Sequence, residues 1–167
     1  RRQRQMCIRD RADPIKDALH AMTDKGLSGY LSPVWVQNLK EATAAFLGRR
    51  YGWQVKPENV IEAPDVLTGL MITMRHHIKP EARVIVPTPA YMPFMFLPKM
   101  GGHELIQVPM IRTATKWELD FEAIDAAFEE GDLFVLCNPH NPIGKVYSPD
   151  EMSRLADIVE KLSLIHI

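Results

Sequence analysis

Apolar positions along the chain repeat in two alternating patterns. Ile15, Ala18, Leu19 and Met22 recur at helical spacing behind Asp13 and Pro14, which read as an N-cap and a first helical residue, and a short amphipathic helix is expected up to Gly26. The turn-rich stretch GLSGYLSP leads to a second start at Ser32 and Pro33, after which Trp35, Leu39, Ala42 and Phe46 predict a helix over residues 34–50, stopped near Gly52. Residues 60–63 form a brief strand candidate. Asp65 then caps a helix that turns Leu67, Leu70, Met71 and Met74 toward a core, with Pro80 just beyond its end.

The second half alternates in kind. Residues 83–86, RVIV, are a continuous apolar run of the type found in strands buried on both faces, and the run ends at Pro87-Thr88-Pro89. Residues 91–100 read as helical or irregular, residues 104–108 as a strand, 120–130 as a helix closed by Gly131, and 133–136 as a third buried strand. Ser148-Pro149-Asp150-Glu151 is a capping box opening a last helix with Met152, Leu155, Ala156, Val159 and Leu162 on one face. Strands alternating with helices predict an α/β sandwich with a mostly parallel sheet, in which ligands sit at the carboxyl ends of the strands.

Composition narrows the class. With 167 residues, 46% hydrophobic and 25% charged, the chain is neither disordered nor fibrous and has enough apolar residues to bury a core. Its two cysteines, Cys7 and Cys137, exclude a disulfide framework, and no apolar run approaches the roughly 18 residues of a membrane span. A soluble protein of a reducing compartment, the cytoplasm, is expected, with no membrane partner. The net charge of −1 hides an asymmetry: five Arg and one Asp fall in residues 1–11, so residues 12–167 carry a net charge of −5. Residues 1–11 lack the apolar core of a signal peptide and the periodicity of a helical presequence. They read as a non-native leader resembling translated adapter sequence, or as a disordered arm, and not as a nucleic-acid contact. The terminal LSLIHI invites the same suspicion, which makes 163–167 a doubtful tail.

Several chemistries have no support. The chain holds no Gly-x-Gly-x-x-Gly after a strand, no Walker lysine loop and no Gly-x-Ser-x-Gly elbow. Cys137 and His140 have metal-like spacing but no second pair, and the adjacent His76 and His77 diverge by about 100° on a helix, so no metal is expected. The informative stretch is Cys137-Asn138-Pro139-His140-Asn141-Pro142-Ile143-Gly144, directly after a buried strand. Its two Asn-Pro steps restrict the path and Gly144 permits a tight turn, so Asn141 can be held at the strand's carboxyl end. A stiff connector whose asparagines satisfy their own backbone is the plainer alternative.

The segment CNPHNPIGKVYSPDEM resembles the Asn-Pro-x-Gly region of fold-type I pyridoxal-phosphate enzymes, and its His-Asn-Pro form is most similar to MalY/PatB-like cystathionine β-lyases, relatives of the class I/II aminotransferases. GYLSP, EAPDVLTGL and PTPAYMPF resemble, in order, the family's amino-terminal Gly-Tyr segment, its phosphate-binding turn and its Pro-x-Tyr-x-Pro-Phe segment. The resemblance implies a three-layer, mostly parallel sandwich, present in part, and the cofactor pyridoxal 5′-phosphate. It implies that Asp65, Val66 and Leu67 open the phosphate-binding helix, where the dipole favours an anion. The family usually has Gly where this chain has Asp65, and a carboxylate beside a phosphate repels it unless the side chain turns back to cap the helix. Tyr91 matches the residue stacked on the pyridine ring, or is ordinary core packing. Asn141 matches the donor to the cofactor's phenolic oxygen. Tyr30 matches the residue that reaches the phosphate of a neighbouring subunit, implying a homodimer, or is a half-buried turn residue.

The resemblance also places the family's Schiff-base lysine, pyridinium-pairing Asp and substrate-carboxylate Arg downstream of the last helix. No catalytic residue is therefore assigned here, and Lys145 and Lys161 read as solvated side chains on a loop and a helix. The expected organisation is a helical segment over 12–52 and part of a cofactor-binding domain over 53–162. The implied activity of the complete protein is β-elimination from an amino-acid substrate, cystathionine or a cysteine S-conjugate, to thiol, pyruvate and ammonia. An aminotransferase is the nearest alternative, and a catalytically silent binding module on the same fold is the alternative of another class. The 167 residues alone are expected to be inactive.

Overall fold

A computed structural model describes residues 12–30 and 32–161. The basic residues 1–11, Leu31 and residues 162–167, including the Leu162 expected on the last helix, lie outside the described residues. The chain divides into two units, one ending at Glu62 and one beginning at Ala63.

The first unit is helical. Helix α1 (Asp13–Asp24) starts one residue earlier than expected: Ala12 is its N-cap, without a side-chain cap, and Asp13 sits in the first turn. There its carboxylate suits the helix dipole and pairs with Lys16 at 2.6 Å. Helix α2 (Pro33–Tyr51) ends as expected, with Gly52 left-handed at φ +68° and the N–H groups of Gly52 and Trp53 donating to Gly48 and Leu47 carbonyls. Neither helix buries a residue. Residues 60–63 are not a strand. A 3-10 turn (Pro57–Asn59) precedes them, no ladder partner lies alongside them among the described residues, and Glu62 instead pairs with Lys40 at 3.5 Å.

The second unit is the expected α/β sandwich. Strand β1 (Val84–Thr88) lies between β2 (Leu105–Pro109) and β5 (Leu133–Phe134), both parallel to it, with Ile85 in register with Ile106 and Phe134. Alternation along β1 divides the core. Ile85 faces one layer, formed with Val108, Ile124, Tyr147, Leu155 and Ile158, whereas Val84 and Val86 face another with Met74, Phe94 and Leu97. The first layer belongs to helices α5 (Phe121–Ala127) and α6 (Pro149–Lys161). The second belongs to α3 (Val66–His76), the 3-10 turn Met92–Met95 and α4 (Leu97–Gly101). The sheet is thus covered on both faces, the condition for parallel strands.

Two local expectations need correction, and one strand pair was not expected. Helix α5 stops at Ala127 and not near residue 130, because Phe128 turns extended and stacks on Phe134, ring centroids 5.5 Å apart. Strand β5 spans two residues, although Val135 N–H still donates to the Ile85 carbonyl at 3.0 Å. A small antiparallel pair, β3 (Ile111–Arg112) with β4 (Trp117–Glu118), had no clear signal in the residue pattern.

Two clamps close the amino-terminal edge of the sheet. Arg83, entering β1, donates from its backbone N–H (2.9 Å) and its guanidinium to Asp132, which enters β5. Burial alone would push the Asp132 carboxyl up; hydrogen bonds from the Arg83 guanidinium and from the Glu129 and Arg83 N–H groups outweigh it and hold the group below the usual carboxylate range. The buried His103 ring lies 3.1 Å from the Met74 carbonyl and 2.8 Å from that of Ala82, tying the end of α3 to the approach to β1.

Candidate functional site

Because α3 ends where β1 begins, its amino terminus lies at the carboxyl end of the sheet, where β1 and β5 also deliver their exit loops. His140, beside Asn141, lies 2.8 Å from the carbonyl of Pro89, two residues before Tyr91, and Asp65 and Leu67 line one cavity with Met92 and Pro93. Tyr30 belongs to the first unit, and its ring is fully exposed, not half-buried.

Asp65 is a true N-cap. Its carboxylate accepts from the Thr68 N–H at 2.8 Å and from the Thr68 hydroxyl at 3.1 Å, and these bonds, the backbone one first, hold it below its ordinary range. It has turned back on its own helix. The Val66 and Leu67 N–H groups belong to the opening turn, where the helix has no acceptor for them, although Leu67 also leans toward the Asp65 carboxylate.

Tyr91 follows β1 by three residues, is 39% exposed, and stands edge-on to the buried Phe94, centroids 5.4 Å apart at 88°. Its ring is oriented by packing while part of it stays open. The loop after β5 closes as a narrow hairpin: His140 N–H donates to the Lys145 carbonyl and Gly144 N–H to the His140 carbonyl, each at 2.7 Å, with Gly144 at φ +69°. The peptide bonds before Pro89, Pro139 and Pro142 are cis. Asn141 is exposed, whereas the neighbouring Asn138 carboxamide oxygen accepts from the Tyr147 N–H at 3.4 Å.

Beneath this hairpin lies a group that sequence reasoning considered only as a metal ligand. His140 is 2% exposed; its Nε2 is 2.8 Å from the Pro89 carbonyl and its Nδ1 2.6 Å from the Tyr147 hydroxyl. Both ring nitrogens are engaged. Lys145 also departs from expectation: its side chain is only 15% exposed, pairs with Glu151 at 2.7 Å and lies over the Tyr147 ring. Lys161 is solvated as expected, and His76 and His77 are exposed.

The family model described as aminotransferase class I and II matches residues 5–167. The chain belongs to that family. A cystathionine beta-lyase of Corynebacterium glutamicum is 37% identical over 148 residues, which are 88% of this chain and 38% of that protein. The cystathionine beta-lyase PatB of Bacillus subtilis (strain 168) is 30% identical over 148 residues, 87% of this chain and 38% of its own. Cystalysin from Treponema denticola, whose crystal structure contains a pyridoxal 5′-phosphate cofactor, superposes with a TM-score of 0.83 over 93% of this chain and 40% of that one; at 24% identity this is a likeness of fold. The chain thus spans about two fifths of the length of the curated relatives it matches.

In this aminotransferase-family chain a cavity of about 590 Å³ also opens between α3 and the segment from Met92 to Met100. Asp65, Leu67 and Thr68 line one part of it and Met71, Met92, Phe96 and Met100 another, while Tyr91 and Asn141 are not among its lining residues. Among the described residues no helix is long and apolar enough to cross a membrane.

Proposed function

We propose that the complete protein is a pyridoxal-phosphate-dependent carbon–sulfur β-lyase, acting on cystathionine or another cysteine S-conjugate to yield thiol, pyruvate and ammonia. The observation that carries this reading is the 37% identity to a cystathionine beta-lyase, in a chain whose neighbouring segments present three kinds of group. They are a helix amino terminus, a partly open aromatic ring and an exposed carboxamide. Each suits one part of the cofactor: an anion, a flat ring and a phenolic oxygen. Asp65 is the one feature that opposes the fit, and its inward capping bonds reduce the opposition.

When bound, pyridoxal phosphate supplies an aldehyde for the substrate amine and a conjugated ring that takes up the electrons of the broken Cα–H bond. The roles of this chain's residues are to bind and orient. The Val66 and Leu67 N–H groups hold the phosphate, aided by the dipole of α3. Tyr91 lies against the pyridine ring, and Asn141 donates to the phenolic oxygen, favouring its ionised form. Tyr30 reaches the phosphate of a second subunit in a cytoplasmic homodimer. The cofactor-bearing lysine, the partner of the pyridine nitrogen and the arginine for the substrate carboxylate are assigned to the remainder of the complete protein.

The test is a pair of steady-state assays on the complete protein, one for pyruvate released from cystathionine and one for amino transfer to an oxoacid. Pyruvate with negligible transfer is expected. The family description itself favours transfer as the second reading, and dominant transfer would replace the lyase.

A further inference from the structure

The buried His140 joins the two segments that carry the proposed ring-stacking and phenolate-binding residues. Its neighbour Asn141 sits on one segment, and the Pro89 carbonyl it bonds lies two residues before Tyr91 on the other. A carbonyl oxygen can only accept, so Nε2 carries the proton at the 2.8 Å contact. In the neutral imidazole Nδ1 is then an acceptor, and the Tyr147 hydroxyl is its donor at 2.6 Å. Burial, followed by the nearby Glu151 charge, pushes the Tyr147 phenol up, which keeps that donor protonated. Tyr147 is itself immobilised, as a member of the core beneath α5 and α6, with the Lys145 ammonium 5.2 Å from its ring centroid and Lys145 paired to Glu151. The titratable groups around the imidazole–phenol pair are therefore Lys145 and Glu151, which pair with each other, and the Cys137 thiol.

Given the pyridoxal-phosphate reading above, on which this rests, we propose that His140 is a positioning residue. Its imidazole, locked in one tautomer by Tyr147, fixes the separation between the Tyr91 turn and the Asn141 loop. Stacking on the cofactor ring and hydrogen bonding to its phenolic oxygen are thereby set together. Removing the imidazole leaves the Pro89 carbonyl without its partner and lets the Asn141 loop move relative to the ring.

The experiment uses the complete holoprotein and reads the pH midpoint of the cofactor's visible absorbance and the affinity of the apoprotein for pyridoxal phosphate. His140→Ala is expected to raise the midpoint by about half a unit or more and to weaken affinity roughly tenfold, as loss of a well-placed hydrogen bond does. Tyr147→Phe, which keeps the packing, is expected to shift both in the same direction by about a third as much, on the order of one weakened hydrogen bond. His140→Gln, whose amide can still donate to Pro89, is expected to recover part of the loss. Variants that melt earlier but keep the unmodified midpoint and affinity would overturn the proposal, since a purely structural role predicts that pattern. If His140→Ala does not fold, Tyr147→Phe decides by the same criterion. An unmodified protein that does not bind pyridoxal phosphate overturns the cofactor reading and this inference together, whereas a binding parent with unchanged variants overturns this inference alone.

Discussion

Asp65 serves its helix at a position where the family resemblance calls for glycine. Its carboxylate caps Thr68, so it stabilises α3, yet its charge stands at the end of the helix proposed to receive a phosphate. Asp65→Asn retains an accepting oxygen and removes the charge. Affinity for pyridoxal phosphate is then expected to rise roughly threefold at low salt and less at high salt, by fluorescence titration of the apoprotein. Unchanged affinity at both salt concentrations would show that the charge is not felt at the phosphate. The cap was legible in the sequence because it lies inside a local motif, as do the proposed Tyr91 and Asn141. The engagement of His140 was not: the carbonyl and hydroxyl it bonds belong to Pro89 and Tyr147, and the Pro89 contact spans 51 positions. Lys145 departs from the solvated reading for another reason: its partners Tyr147 and Glu151 are near in sequence, but its low exposure depends on how the folded hairpin and α6 hold both side chains against it.

Elements followed the residue pattern where their ends are set by neighbours in sequence. The capping box of α6 closes both ways, Ser148 N–H to Glu151 at 2.9 Å and Glu151 N–H to Ser148 Oγ at 3.2 Å. Ser148→Ala is expected to cost about 1 kcal/mol in urea unfolding. Where an element ends for a tertiary reason, the pattern overran it. The residues after Ala127 remain compatible with a helix, but Phe128 stabilises the fold more by burying its ring against Phe134, and Asp132 takes the Glu129 N–H at 2.9 Å. Phe128→Ala is expected to cost about 3 kcal/mol, the range for a large ring removed from a core. A loss below 1 kcal/mol would show that the chain break at Ala127 is not held by that ring. Residues 60–63 show the converse: strand-like composition without a ladder partner leaves irregular backbone.

In the whole second unit, the Arg83–Asp132 clamp links the starts of two strands that lie 49 residues apart. The folded Asp132 carboxyl lies below its ordinary value of 3.8, so its contribution is present above that value and is lost as pH falls below it. Asp132→Asn is expected to lower stability near neutral pH by roughly 3 kcal/mol, because Arg83 keeps its charge without its partner, and to flatten the acid limb of the unfolding profile. An unaltered acid limb would assign acid sensitivity to other groups. The order of the longer helices and of β1, β2 and β5, the caps of α3 and α6 and the buried character of β1 were determined by the sequence alone, because these depend on residues within a few positions of one another. Only the tertiary structure decided which exit loops share an edge, which carbonyl meets His140 and which core stops α5. Those contacts depend on parallel strands that bring distant segments together, and a parallel pair leaves no short turn in the sequence to announce it.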